Sequence, residues 1–135
     1  IQDGSQRIVS ASADKTLRVW SRPGKGQRWS TDFVLKGHTK GITTVTIDHR
    51  SGCVLLNVFS DFHMSPPKLT RTYIFILHFL FVSFGINSRI YSGGYDGTVR
   101  AWLNGELIAT MKDHSGHVVY MLALTTDNVL VSCGG

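Results

Sequence analysis

A fourteen-residue motif that occurs twice constrains this chain more than anything else in it. Residues 89–102 read RIYSGGYDGTVRAW and residues 7–20 read RIVSASADKTLRVW, with seven of the fourteen positions identical. A third copy begins at residues 129–135, VLVSCGG, which aligns Ser132 with Ser92 and Ser10. Ser92 and Ser132 are 40 residues apart, and self-similarity at that period marks a repeat architecture. In such a chain each unit buries its apolar face against its neighbours.

Each copy reads as two strands joined by a tight turn. Ile90, Tyr91 and Ser92 alternate apolar and polar ahead of Gly93 and Gly94, and residues 98–102 form a β-branched and aromatic run. Asp96-Gly97 between them predicts the positive φ values of a two-residue hairpin turn. A Gly-His pair precedes an apolar strand in two places: Gly37-His38 before residues 42–47, and Gly116-His117 before residues 118–124. Asn104-Gly105 predicts a turn into a fourth strand over residues 106–111, and residues 33–35 a short outer strand.

The order Gly-His, strand, strand with Ser, Asp turn, strand ending in Trp, fourth strand resembles the WD-repeat β-propeller family, over about 100 of the 135 residues. Trp20 is followed by Ser21 and Trp102 by Leu103, so the Asp of the family's namesake dipeptide is missing from both copies. The resemblance implies an all-β fold, a fragment of a WD-repeat β-propeller made of four-stranded antiparallel blades. Residues 1–53 would hold strands two to four of one blade and the first strand of the next, and residues 89–135 the rest of that blade and the start of a third. A closed propeller of four to eight blades needs more chain than this.

The resemblance also assigns the matched polar residues. His38, Ser92, Asp96 and Trp102 would form a hydrogen-bonded chain within one blade, with Ser10, Asp14 and Trp20 as its counterpart in the first copy and His117 and Ser132 in the third. A buried Asp or His is costly unless paired, so such a chain fixes the turn while satisfying its polar atoms.

Ser92, Asp96 and His38 are also the residue types of a hydrolytic triad, but catalysis gives Trp102 no part, so no catalytic residue and no enzyme is expected. His114 and His117 have a metal-like spacing, yet no Cys, Asp or Glu cluster completes a site; no metal and no cofactor are expected. Cys53 and Cys133, 80 residues apart, read as free thiols in a reducing compartment, and with no signal peptide the expectation is cytoplasm or nucleus. The net charge of +5 invites a nucleic-acid reading. Against it, Arg18 and Arg100 share one repeat position, and Arg22, Lys25 and Arg28 lie in a loop without the Gly-Lys-Ser/Thr ending of a phosphate cradle. Function then falls to surfaces. The resemblance implies a platform that holds other proteins in a ubiquitin-ligase, signalling, trafficking or chromatin assembly, a choice that fold does not make. Lys15, Arg18 and an exposed Tyr95, around the tight turns, are the contact candidates.

Residues 54–88 break the pattern. His38 to Ser92 spans 54 positions and His117 to Ser132 spans 15, a surplus of 39. The surplus includes YIFILHFLFVSFGI at residues 73–86. As a membrane anchor over residues 69–86 it would give a membrane-associated WD-repeat protein, but its 14-residue apolar core contains His78 and falls short of the ~20 residues of a span. An insertion loop of a propeller should instead be polar. The preferred expectation is a translated intron, because Phe, Ile, Leu, Val and Ser codons are rich in T and such a run is what a pyrimidine tract before a splice acceptor encodes. A further alternative makes the propeller the substrate-recognition part of a larger enzyme.

Overall fold

The computed structural model describes residues 6–24, 26–48, 80–82 and 88–135, the three residues 80–82 by backbone alone. Most of residues 54–88, and with them the intron, loop and membrane-anchor readings, lie outside the described residues. In the described residues there is no helix long and apolar enough to cross a membrane.

The described residues form strands β1 (Gln6–Ala11), β2 (Thr16–Arg22), β3 (Ser30–Lys36), β4 (Ile42–Ile47), β5 (Leu80–Val82), β6 (Ile90–Gly94), β7 (Val99–Leu103), β8 (Glu106–Met111), β9 (Val119–Leu124) and β10 (Leu130–Gly134). All pair antiparallel, in a sheet ordered β3-β2-β1-β5, a sheet ordered β4-β6-β7-β8 and the pair β9-β10. The fold is all-β.

The sequence repeat is a repeat of register. Ile8 stands opposite Trp20 and Ser10 opposite Arg18; eighty-two positions later Ile90 stands opposite Trp102 and Ser92 opposite Arg100. Pairing with the outer strand slips at the same place in both sheets, between Val19 and Trp20 and between Ala101 and Trp102. Such a bulge turns the local twist and re-aims the side chain beside it. In both copies that side chain is the Trp.

β4, the edge strand of the second sheet, is buried at all six positions because it packs against β1 of the first sheet and against β9. Ile42, Val45 and Ile47 join Val9, Leu17, Val19 and Leu35 of the first sheet and Ile90 and Trp102 of the second in one apolar core. Val99, Val119 and Leu122 make a second core towards β9, with Tyr91, Met111 and Leu130 packed on it. Each fully buried Val, Leu or Ile contributes about 1.5–3 kcal/mol relative to exposure, so the sheets hold one another. The outer strands face the other way: Val34 of β3 and Leu107 and Ile108 of β8 are exposed. β5 lies beside β1, with Ile8 opposite Phe81, in the place that β4 takes beside β6.

The turns correct one expectation. Asn104 and Gly105 have φ of 50° and 90°, as a two-residue hairpin turn requires. Asp96-Gly97 is not such a turn. Residues 95–98 separate β6 from β7, the Gly97 N–H donates to the Gly94 carbonyl at 3.2 Å, and of the pair only Gly97, at 71°, has positive φ. The Asp96 carboxylate accepts the Thr98 N–H two residues on, at 3.1 Å, and that local capping takes the longer loop. The outer strand of the first sheet is also longer than residues 33–35, because Ser21 pairs with Ser30 and its hydroxyl donates to Asp32 at 2.6 Å.

Candidate functional site

The second sheet brings His38, Ser92, Asp96 and Trp102 together from three places in the chain. β6 carries Ser92 and β7 carries Trp102 ten residues later; the turn between them carries Asp96, and the loop entering β4 carries His38. Trp102 Nε1 donates to Ser92 Oγ at 2.9 Å, His38 Nε2 lies 2.8 Å from the same oxygen, and His38 Nδ1 lies 2.9 Å from Asp96 Oδ2. Ser92 has no exposed surface and Trp102 retains 2%.

Chemistry fixes the direction of donation. The Asp96 carboxylate only accepts, so the proton between it and His38 sits on Nδ1. Nε2 of the neutral ring then accepts from the Ser92 hydroxyl, which itself accepts from the indole. Donation therefore runs from Trp102 through Ser92 and His38 to Asp96. Burial pushes the His38 pKa down, outweighing the pull of the Asp96 carboxylate, and the nearby Arg100 charge adds to the fall. For Asp96 burial alone would raise the pKa, but the Thr98 hydroxyl at 2.7 Å and the amides of Thr39 and Thr98 hold it at about 2.

Two neighbours close the site. A Cβ on Gly94 would stand 2.8 Å from the Gly41 carbonyl oxygen and 3.1 Å from His38 Nδ1, so only glycine lets β6 approach so closely. Arg100 lies over Gly37, its Nη1 at 2.6 Å from where a Cβ would be, with the Trp102 ring beside it. The Arg100 guanidinium is the far end of a flexible side chain and can give way; the Trp102 ring, 3.1 Å from that position, is the tighter neighbour.

In the first sheet Trp20 Nε1 donates to Ser10 Oγ at 3.1 Å, repeating the indole-to-serine bond. Asp14 is exposed and accepts from the Thr16 hydroxyl at 2.6 Å and its amide at 2.9 Å, bonds that hold its pKa below the usual value. No described histidine reaches it.

The third copy corrects the histidine. Ser132 Oγ lies 2.7 Å from His114 Nε2, whereas His117 is exposed and its amide closes a turn onto the His114 carbonyl at 2.9 Å. The matching frame is Lys36-Gly37-His38-Thr39 against Lys112-Asp113-His114-Ser115, visible in the sequence once the preceding Lys is aligned. His38 to Ser92 then spans 54 positions against 18 from His114 to Ser132, and the surplus falls to 36.

Of the contact candidates, Lys15 and Arg18 are exposed. Tyr95 is only half-buried rather than exposed: its amide donates to the Gly41 carbonyl at 2.9 Å, and its ring lies 3.6 Å from a Cβ position on Gly41, under the loop that carries His38. Cys133 is a free, exposed thiol. Among the described residues no three His, Cys, Asp or Glu side chains gather where a metal would bind.

Residues 1–21, which include Ser10, Asp14 and Trp20, match the family model described as WD domain, G-beta repeat. No curated protein matches the chain. The matched segment, the all-antiparallel four-stranded sheets and the recurring serine-to-tryptophan bond fit a partial WD-repeat protein.

Proposed function

We propose that this chain is part of a non-catalytic interaction scaffold that holds partner proteins together in a multiprotein complex, working in the cytoplasm or nucleus. WD repeats support an interaction role in general. The observation that carries the reading here is the fate of the three residues a hydrolase would need. Ser92 is wholly buried, its hydroxyl is committed to Trp102 and His38, and His38 is committed to Asp96, so no substrate carbonyl has access to the serine. These side chains lock a turn. The free thiol of Cys133 suits a reducing compartment.

Native size-exclusion chromatography of the full-length protein from its own cells, followed by mass spectrometry of the fractions, tests this. Elution well above the monomer mass with the same proteins at fixed stoichiometry is expected. Elution as a free monomer would sink the reading.

A further inference from the structure

We propose that the outer edge of β8 is a self-association surface, on which a second copy of this chain lays its own β8 antiparallel to the first. The inference goes beyond the scaffold reading and does not rest on it.

β8 is the outermost strand of the second sheet, and among the described residues no strand pairs with its free side. An unpaired edge is a template for another strand unless charge, proline or a covering segment guards it. The two outer strands differ in that respect. Each carries one extra residue at the bulge beside the tryptophan: Asp32 in β3, between the partners of Val19 and Trp20, and Ile108 in β8, between the partners of Ala101 and Trp102. Asp32 is engaged by Arg7 and by the Ser21 hydroxyl, so β3 holds a carboxylate in mid-strand. β8 instead has Leu107, Ile108, Ala109, Thr110 and Met111 in a row, with no charge among them. The first four of these are exposed, Leu107 at 43% and Ile108 at 48%. β10 also shows apolar side chains, but its Ser132 matches Ser10 of β1 and Ser92 of β6, and in both of those strands the corresponding side is taken by the strand that follows.

Charge names the occupant. Glu106 opens β8 and Lys112 follows it; both are exposed, and among the described residues neither has an ion pair. Antiparallel pairing of β8 with itself about a two-fold axis at Ala109 stands Glu106 opposite Lys112, Leu107 opposite Met111 and Ile108 opposite Thr110, each contact made twice. Opposite charges across such a ladder stabilise it and like charges weaken it. The long Glu and Lys side chains span the slip that the bulge introduces. An in-register parallel pairing would set Glu106 against Glu106 and Lys112 against Lys112. The strand is thus complementary to its own reverse, as a two-fold interface requires.

Sedimentation velocity of the purified full-length protein over a wide concentration range tests this. A contact between two edges lies at the small end of specific interfaces, so a monomer–dimer equilibrium that moves with concentration is expected. Glu106→Lys and Lys112→Glu should each weaken the dimer about tenfold, because each sets two like pairs across the ladder. Mixing the two variants should restore it, since every altered position then faces the opposite charge on the other chain. Ile108→Lys should leave the protein monomeric where the parent is dimeric, and Val34→Lys, on β3, should leave the dimer intact. All four positions are exposed, so circular dichroism should show the variants folded, and rescue on mixing is open only to chains that have folded. A protein that stays monomeric at every concentration, a dimer that survives Ile108→Lys or is lost in Val34→Lys, or two charge variants that fail to rescue each other would each overturn the proposal.

Discussion

His38 Nδ1 lies 2.9 Å from Asp96 Oδ2, with the two side chains retaining 0% and 4% of their surface. Both groups titrate below their ordinary values, and both shifts give stability the same pH dependence. His38 is depressed from 6.5, so the unfolded chain takes up its proton first as pH falls below 6.5, and stability is lost from there down to the folded pKa. Asp96 is depressed from 3.8 to about 2, so its contribution is complete above about pH 4 and is lost as pH falls towards 2. Denaturant midpoints should therefore be flat above pH 7 and fall in two stages on acidification. In Asp96→Asn the lower stage should shrink to what the milder Asp14 shift leaves, and the protein should lose about 3 kcal/mol, since one partner of a buried pair is removed.

Ser92 and Ser10 accept from equivalent tryptophans but differ in surroundings. Ser92→Ala strands the Trp102 N–H and His38 Nε2 inside a dry site, which should cost about 2–3 kcal/mol. Ser10→Ala releases only Trp20, which is part-exposed and regains water, at a cost of about 1 kcal/mol. Urea unfolding of the two variants side by side measures the difference. Equal losses would show that the histidine adds nothing to the serine's role.

What the sequence revealed is what repeats at fixed spacing. Ser92 and Trp102, like Ser10 and Trp20, are ten residues apart across one hairpin, so their bond follows from its register, and β4 and β8 emerge with the bounds expected of them. His114 was missed because the dipeptide Gly116-His117 looks like Gly37-His38, whereas the histidine that reaches Ser132 follows Asp113. The half-burial of Tyr95 was equally invisible, since it depends on loop 37–41 folding over it from more than fifty residues away. Contacts set by local register are legible; those set by a distant loop are not.

The corrected histidine makes its own prediction. His114→Ala removes the partner of Ser132 across β9 and β10 and should cost about 1 kcal/mol, whereas His117→Ala at an exposed turn should be near neutral. Hydrogen exchange gives a second readout: amides of β10 should exchange faster in the first variant and unchanged in the second. The reverse pattern would restore His117 to the serine.

Lys15 adopts φ of 73°, the left-handed conformation that Gly97 takes, at 71°, at the equivalent point of the second copy. A side chain there costs about 1–2 kcal/mol, while glycine pays a smaller penalty in chain entropy. Lys15 is exposed, and among the described residues it has no ion pair to lose. Lys15→Gly should therefore stabilise the protein by about 0.5–1 kcal/mol, and Gly97→Lys should destabilise it by more, because a Cβ at Gly97 meets the His114 carbonyl at 2.5 Å as well as the strained φ. Thermal denaturation of the two exchanges decides it. A Lys15→Gly variant that melts lower than the parent would mean that lysine at this turn contributes a contact beyond its strained backbone.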